Sequence, residues 1–177
     1  MRNVSHALKP QDILILLKII AYGKTGNTNW QQVPLAESLN ISQAEVSQSL
    51  VRSKYAGLLD GSGKKVMRLA LMDILQYAIA YMFPQKPGAI VRGIPTAHSA
   101  LPLKSEIQSE EQYVWPSAHG NTKGQSIIPL YPSVVDAVIK DQDLYQLLAL
   151  VDALRVGRTR EKNIAITELK HRILNGE

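Results

Sequence analysis

The chain has 177 residues, enough for one large domain or for a small domain with an extension. It contains no cysteine, which excludes a disulfide framework, a thiolate zinc site and a cysteine nucleophile, and favours a reducing, cytoplasmic location. The formal net charge of +5 mildly favours a polyanionic partner, although many globular proteins are slightly basic.

The composition changes along the chain. Up to residue 83 helical periodicity dominates, and nine Lys and Arg stand against five Asp and Glu. Seven of the nine prolines then fall between Pro84 and Pro132, where no helical period persists. Helical patterning returns after Pro132. We therefore divide the chain into two parts, residues 1–83 and residues 84–177.

The first predicted helix begins near Pro10, a residue suited to a first helical turn. Ile13, Leu16 and Ile20 lie on one face of it, and Gly23 ends it. No apolar run precedes Ile13, and the run that follows is short and contains Lys18. The segment therefore predicts neither a secretory signal nor a membrane span.

Two further helices are predicted before the chain turns at Gly57. Residues 30–39 form the second helix, or a short strand leading into one, and Asn40 suits a left-handed turn position. Ser42 and Glu45 form a capping box at the start of the third helix, in which each side chain bonds the other's backbone amide. Val46 and Leu50, one turn apart, are the expected apolar anchors of this helix.

The remaining face of the third helix carries short polar side chains, of a kind that fits a major groove of DNA. Glutamine pairs with adenine, serine bonds several base edges, and alanine contacts the thymine methyl. The candidate base-reading residues are Ser42, Gln43, Ala44, Ser47 and Gln48. Arg52 and Lys54 lie further along the helix and are candidate phosphate contacts.

The stretch from Leu35 to Leu50 resembles the helix-turn-helix of bacterial winged-helix regulators, in particular MarR-like ones. The resemblance extends through residues 55–59 and covers residues 8–68. It implies that residues 1–83 form a winged helix-turn-helix domain, with Asp60–Lys65 at the tip of a short two-stranded β wing. Lys64 and Lys65 would then be further phosphate contacts. The fold class expected is mainly α with this small β wing.

Such a domain implies a transcriptional regulator, either a repressor or an autoregulator, that binds double-stranded DNA. A homodimer is expected because a single helix-turn-helix reads only a few base pairs. Winged helices also serve as protein-interaction modules and scaffolds. The alternative is therefore an interaction module or antitoxin-like partner of a neighbouring gene product, which would use residues 84–132.

Residues 68–83 are apolar on most sides, so they predict a buried helix, either in the core or in a dimer seam. Its methionines and aromatic residues, including Tyr77 and Tyr81, are expected in the core rather than in a ligand-binding box. Residues 84–132 then predict an ordered wrap with little regular structure, because many apolar anchors interrupt the prolines.

Two histidines, His98 and His119, lie in similar small-residue settings. They are either loop histidines bonded to the backbone or a paired site for a metal, an anion or acid–base chemistry with Ser99 or Ser117. No common catalytic or nucleotide-binding motif occurs. We therefore expect no enzyme activity, metal or cofactor.

The last part predicts three helical segments. Ser133 is the expected cap of residues 134–140, an apolar stripe follows over residues 143–156, and a final helix follows Gly157. The stripe is either intramolecular or a dimer interface. A basic cluster beside Gly157 either holds an anion or complements the helix dipole and nearby carboxylates; its members are Arg155, Arg158, Arg160 and Lys162.

Overall fold

A computed structural model describes residues 5–175 and shows a mainly helical fold with a small three-stranded sheet. The first helices are α1 (Pro10–Lys24), α2 (Gln32–Leu39), α3 (Gln43–Tyr55) and α4 (Arg68–Asp73). A π-helical segment (Ile74–Ala78) joins α4 to α5 (Ile79–Met82), and we call Arg68–Met82 the composite helix. The later elements are β1 (Ile90–Pro95), β2 (Tyr113–Pro116), β3 (Thr122–Ser126), α6 (Val134–Ile139), α7 (Gln142–Val156) and α8 (Thr159–Leu174).

The helix ends in the first part follow the predicted signals. Pro10 occupies the first turn of α1, and the Asp12 carboxylate accepts the Lys9 backbone N–H at 2.8 Å. Asn40 ends α2 with φ of 52°, in the left-handed conformation that its sequence position predicted. After α3, Gly57 has φ of 76°, which glycine adopts without steric cost.

The predicted β wing is reduced to one isolated bridge between Leu59 and Val66. The loop between them is closed by Asp60, whose backbone N–H donates to the Lys65 carbonyl at 2.9 Å. Its carboxylate accepts the backbone N–H groups of Lys64 and Lys65, each at 3.1 Å. The loop therefore holds its shape through one aspartate rather than through a strand ladder.

The sheet lies instead in the segment predicted to lack regular structure, which corrects that prediction. Strand β1 pairs antiparallel with both β2 and β3, which run parallel to each other and close the sheet. Glycine is required at Gly93 and Gly120, because a Cβ at either would lie 2.0 Å from backbone atoms of Trp115 or Gly93. Strands β1 and β3 each contain a glycine and β2 has only four residues, so the sheet shows no sustained alternation of apolar and polar residues and the sequence pattern did not reveal it.

One hydrophobic core contains residues from both parts of the chain. Helix α7 lies at its centre and packs against α1, α5, α6, α8 and the 3₁₀ turn Ala97–Ser99. The predicted apolar stripe of α7 is buried within the chain, so it does not form a dimer interface; its residues are Leu144, Leu147, Leu148, Val151 and Leu154. The packing therefore continues across the boundary after residue 83.

The composite helix is less buried than its composition predicted. Met72, Leu75 and Ile79 face the core, whereas Tyr77 is 67% and Tyr81 85% exposed. The prediction that these two tyrosines belong to the core is wrong. Because apolar residues occur on all sides of this helix, its sequence pattern does not indicate which face is buried and which is exposed to solvent.

The C-terminal helices form where expected, with two differences in detail. Asp141 caps α7 through a 2.9 Å bond from the Leu144 N–H, but Ser133 makes no side-chain cap for α6. Arg155, in the predicted basic cluster, is buried rather than free to bind an anion. Its guanidinium donates to Asp152 at 2.8 Å and to the Phe83 carbonyl at 2.9 Å.

Candidate nucleic-acid interface

The outer face of α3 presents the predicted base-reading side chains together. All of them are exposed, and they lie at the N-cap and in the first two turns of the helix: Ser42, Gln43, Ala44, Ser47 and Gln48. Ser42 is the N-cap, and its hydroxyl accepts the Glu45 backbone N–H at 3.2 Å. The first turn of α3 is thereby ordered without covering its outer face.

The opposite face of α3 is anchored in the core. Val46 is fully buried, Leu50 is 9% exposed, and Ala36 of α2 is 4% exposed. The turn that joins α2 to α3 is fixed by Asn40 and by the Ile41 N–H, which bonds the Ala36 carbonyl at 3.0 Å. The two helices and their turn therefore form one rigid support for the polar face.

A buried ion pair fixes α3 against α1. The Arg52 guanidinium binds both oxygens of the fully buried Asp12 carboxylate: Nε donates to Oδ2 at 2.9 Å and to Oδ1 at 3.2 Å, and Nη2 donates to Oδ1 at 2.7 Å. Nη2 also donates to Glu45 Oε1 at 3.0 Å, and Gln11 Nε2 donates to the same oxygen at 2.8 Å. These bonds raise the pKa of Arg52, chiefly through Asp12, and lower the pKa of Glu45, chiefly through Gln11.

Two predictions are corrected by this network. Arg52 is 4% exposed and already bound to two carboxylates, so it does not serve as a surface phosphate contact. The Glu45 carboxylate binds Gln11 and Arg52 instead of completing the predicted capping box with Ser42. Both residues hold α3 in place, and no local sequence pattern indicates this role, because Asp12 lies 40 residues away from Arg52.

The three lysines predicted to bind phosphate lie in different surroundings. Lys54 and Lys65 are exposed. Lys64 is half-buried, with its ammonium over the Trp30 ring at 4.4 Å from the centroid and bonded to the Trp30 carbonyl at 2.9 Å. Within residues 5–175, Lys54 and Lys65 form no ion pair, whereas Lys64 must leave Trp30 to reach a phosphate.

The loop that carries Lys64 and Lys65 is also held by Trp30, whose indole N–H donates to the Lys64 carbonyl at 3.1 Å. Backbone hydrogen bonds from Lys65 and Lys64, together with the Ser62 hydroxyl, lower the pKa of Asp60 to about 2. Asp60 is thus an anion throughout the physiological range and keeps the loop closed there.

The exposed face of α3 extends further along the helix than the predicted base-reading residues. Val51 is 54% and Tyr55 71% exposed, and helical spacing places both on the side of Gln48. The Tyr55 ring stacks on His6 with centroids 4.0 Å apart, which brings the chain before α1 alongside α3. The spacing of residues 44, 48, 51 and 55 was the available signal for a longer face.

The two histidines are not brought together in the described part of the chain. His98 is 4% exposed, and its Nε2 lies 2.7 Å from the Glu111 carbonyl; a carbonyl only accepts, so Nε2 carries a proton. Its Nδ1 lacks a hydrogen-bond partner and is 3.9 Å from Glu161 Oε1. His119 is exposed between β2 and β3, so the histidines have separate environments.

Among residues 5–175, no helix combines the length and the apolar character that a bilayer span requires, and no cluster of three potential metal ligands occurs. Comparison of the whole chain with protein-family models, curated proteins and solved structures gives no match.

Proposed function

We propose that this protein is a DNA-binding transcriptional regulator, a repressor or an autoregulator, that inserts α3 into the major groove. The observation that carries the proposal is the exposed row of short polar side chains on α3, backed by buried anchors and a buried ion pair. A rigid helix with such a face fits the groove, which admits one α-helix. Helices α2 and α3 then act as a helix-turn-helix.

The side chains at the start of α3 supply the chemistry for reading bases. Gln43 donates and accepts, which is the pairing that adenine offers in the major groove. Ser47 and Gln48 lie one turn further along and reach neighbouring base pairs. Ala44 between them leaves space for a thymine methyl group.

Lys54 and Lys65 supply the sequence-independent part of the interaction. Both are exposed, one at the end of α3 and the other in the loop after it, so they suit the phosphates that flank the groove. Each phosphate contact releases counterions, and binding should therefore weaken as the salt concentration rises. A twofold dimer would read two half-sites in this way.

The test is selection of a random double-stranded DNA pool by the purified protein, followed by titration of the enriched duplex and a scrambled duplex. Gln43→Ala should weaken binding to the enriched duplex by about tenfold or more, because a paired base contact is worth about 1–3 kcal/mol. Binding to the scrambled duplex should not change. Gln108→Ala, at an exposed position outside α3, is the matched control and should leave both affinities unchanged.

Lys54→Gln and Lys65→Gln should instead weaken both duplexes equally and reduce the salt dependence by about one phosphate contact each. Failure to enrich any sequence, or equal affinity of Gln43→Ala and the natural protein for the enriched duplex, would contradict the proposal.

A further inference from the structure

A cavity opens between α1, the loop after α3 and the start of the composite helix. Its volume is about 620 Å³, within the range of sites that take a large side chain or a small molecule. Its walls are mostly apolar, with Trp30 at one side and the composite helix at the other; they include Ile20, Trp30, Val66, Met67 and Leu69. Leu69, 72% exposed, stands at the mouth.

The polar part of the cavity wall is positively charged. Lys64, Lys65 and Arg68 line it together with neutral residues, and no aspartate or glutamate lies among the lining residues that the structure describes. None of these three cations forms an ion pair within residues 5–175. An electron-rich aromatic ring carrying a hydroxyl group suits this combination of apolar walls and cations, since Lys64 and Arg68 donate to the carbonyls of Trp30 and Ile173 rather than to carboxylates.

Such a ring stands on the same helix. Tyr81, 85% exposed, lies 12 residues beyond Leu69, about 18 Å along the helix axis. Asp73 and Tyr77 lie between them, so exposed residues recur every four positions at 69, 73, 77 and 81. A pure α-helix would turn this row gradually around its axis, and the π-helical segment Ile74–Ala78 offsets that rotation. In the part of the chain that the structure describes, the row therefore forms one exposed stripe along the composite helix.

We propose that two copies of this chain pair through the composite helix, antiparallel about a twofold axis level with Leu75. This arrangement places Leu69 opposite Tyr81 of the second copy, and Asp73 opposite its Tyr77. Each cavity then receives the Tyr81 ring of the other copy, and each Asp73 carboxylate accepts a hydrogen bond from the other copy's Tyr77 hydroxyl. One stripe complements itself, as a twofold interface requires.

The exposed area is sufficient for a weak dimer. Tyrosine side chains each supply about 150–250 Å² of contact area, and Tyr77 and Tyr81 are 67% and 85% exposed. With Met67 and Leu69 from each copy, the interface would bury on the order of 1,000 Å², near the lower limit for specific association. We therefore expect dissociation in the micromolar range, with Tyr81 as the dominant contact.

The pairing would bring two copies of α3 to one DNA duplex, and this consequence rests on the proposed function. The pairing itself does not, because it can be measured without DNA. If the protein dimerises but selects no DNA sequence, the proposed function fails alone. If it selects DNA but remains a monomer at every concentration without DNA, the pairing fails alone.

The closing experiment is sedimentation equilibrium without DNA, from about 1 µM to about 500 µM. The natural protein should convert from monomer to dimer, and Tyr81→Asp should raise the dissociation constant at least about tenfold. Ile139→Asp is the matched control: Ile139 is 57% exposed but lies on α6, and its exchange should leave the dissociation constant unchanged. Unchanged thermal unfolding of Tyr81→Asp would show that the monomer is intact.

Two readouts test the cavity and the orientation. With 5-fluorotryptophan incorporated, the Trp30 resonance should move with protein concentration while Trp115 stays fixed, and Tyr81→Ala should abolish the movement. Because the chain has no cysteine, Asp73→Cys and Tyr77→Cys proteins can be mixed under oxidising conditions. Disulfides should form mainly between the two variants. A monomer at every concentration, or a dimer indifferent to Tyr81→Asp, would overturn the proposal.

Discussion

Each half of the molecule buries an aspartate against an arginine, but the two pairs are built differently. Asp12 receives Arg52 from 40 residues away, and the pair joins α1 to α3. Asp152 receives Arg155 from the same helix, three residues later. Its other oxygen accepts Trp115 Nε1 at 2.6 Å and Thr96 Oγ1 at 2.8 Å, which joins α7 to the sheet region.

The first pair positions one helix, whereas the second holds several segments of the core together. The Asp12–Arg52 pair sets the position of the proposed DNA-reading helix on its support, whereas Asp152 gathers donors from three segments of the core. Burying ion pairs is costly, so neither pair by itself shows net stabilisation. Removing one partner, however, leaves an uncompensated buried charge, and this is where the two sites should respond differently.

The largest effect is expected at Asp152. Asp152→Ala leaves the Arg155 charge buried without its carboxylate and removes the acceptor of Trp115 and Thr96. The free energy of unfolding should fall by at least about 3–5 kcal/mol. Urea unfolding measures it, with Asp136→Ala on the exposed side of α6 as the control, expected below about 1 kcal/mol. A loss under about 1 kcal/mol at Asp152 would contradict its role in the core.

A slightly smaller effect is expected at Arg52, and it can be reversed. Arg52→Gln leaves the Asp12 carboxylate buried without a cation and should cost about 3 kcal/mol in urea unfolding. Asp12→Asn combined with Arg52→Gln replaces the ion pair with two amides and should recover at least about half of that loss, because neither charge remains.

The same double variant separates a positioning role from phosphate contact. If Arg52 acts only by holding α3, the recovered protein should bind the enriched duplex nearly as well as the natural chain. If stability recovers but the affinity for both the enriched and the scrambled duplex stays low, Arg52 contacts phosphate. The conclusion that Arg52 only holds α3 in place would then be wrong.

How far the sequence predicted these features depends on how local each one is. The N-cap at Ser42, the left-handed Asn40 and the anchor Val46 are set by neighbours within one or two turns, and all three were predicted. The Arg52–Asp12 pair depends on two helices meeting, and the basic character of Arg52 alone favoured a phosphate role. The strands were not predicted because Gly93 in β1, Gly124 in β3 and Gly120 between β2 and β3 are required by close backbone contacts with residues distant in the sequence.

The smallest expected effect concerns Glu45, which borders the Asp12–Arg52 pair. Its pKa lies below the ordinary 4.5, chiefly because Gln11 donates to the ionised carboxylate. Its contribution to stability is therefore present above about pH 4.5 and is lost as the pH falls through the folded-state pKa. Glu45→Gln should lower the free energy of unfolding at pH 7 by less than about 1 kcal/mol, because the side chain is partly exposed.

That difference should shrink towards zero as urea unfolding is repeated at lower pH, since the protonated carboxyl and the amide then resemble each other. Glu106→Gln, an exchange at an exposed position, should change the free energy of unfolding little at either pH. A Glu45→Gln deficit of the same size at neutral and acidic pH would mean that the ionised carboxylate contributes nothing specific. The support of α3 would then rest on the Asp12–Arg52 pair and the apolar anchors.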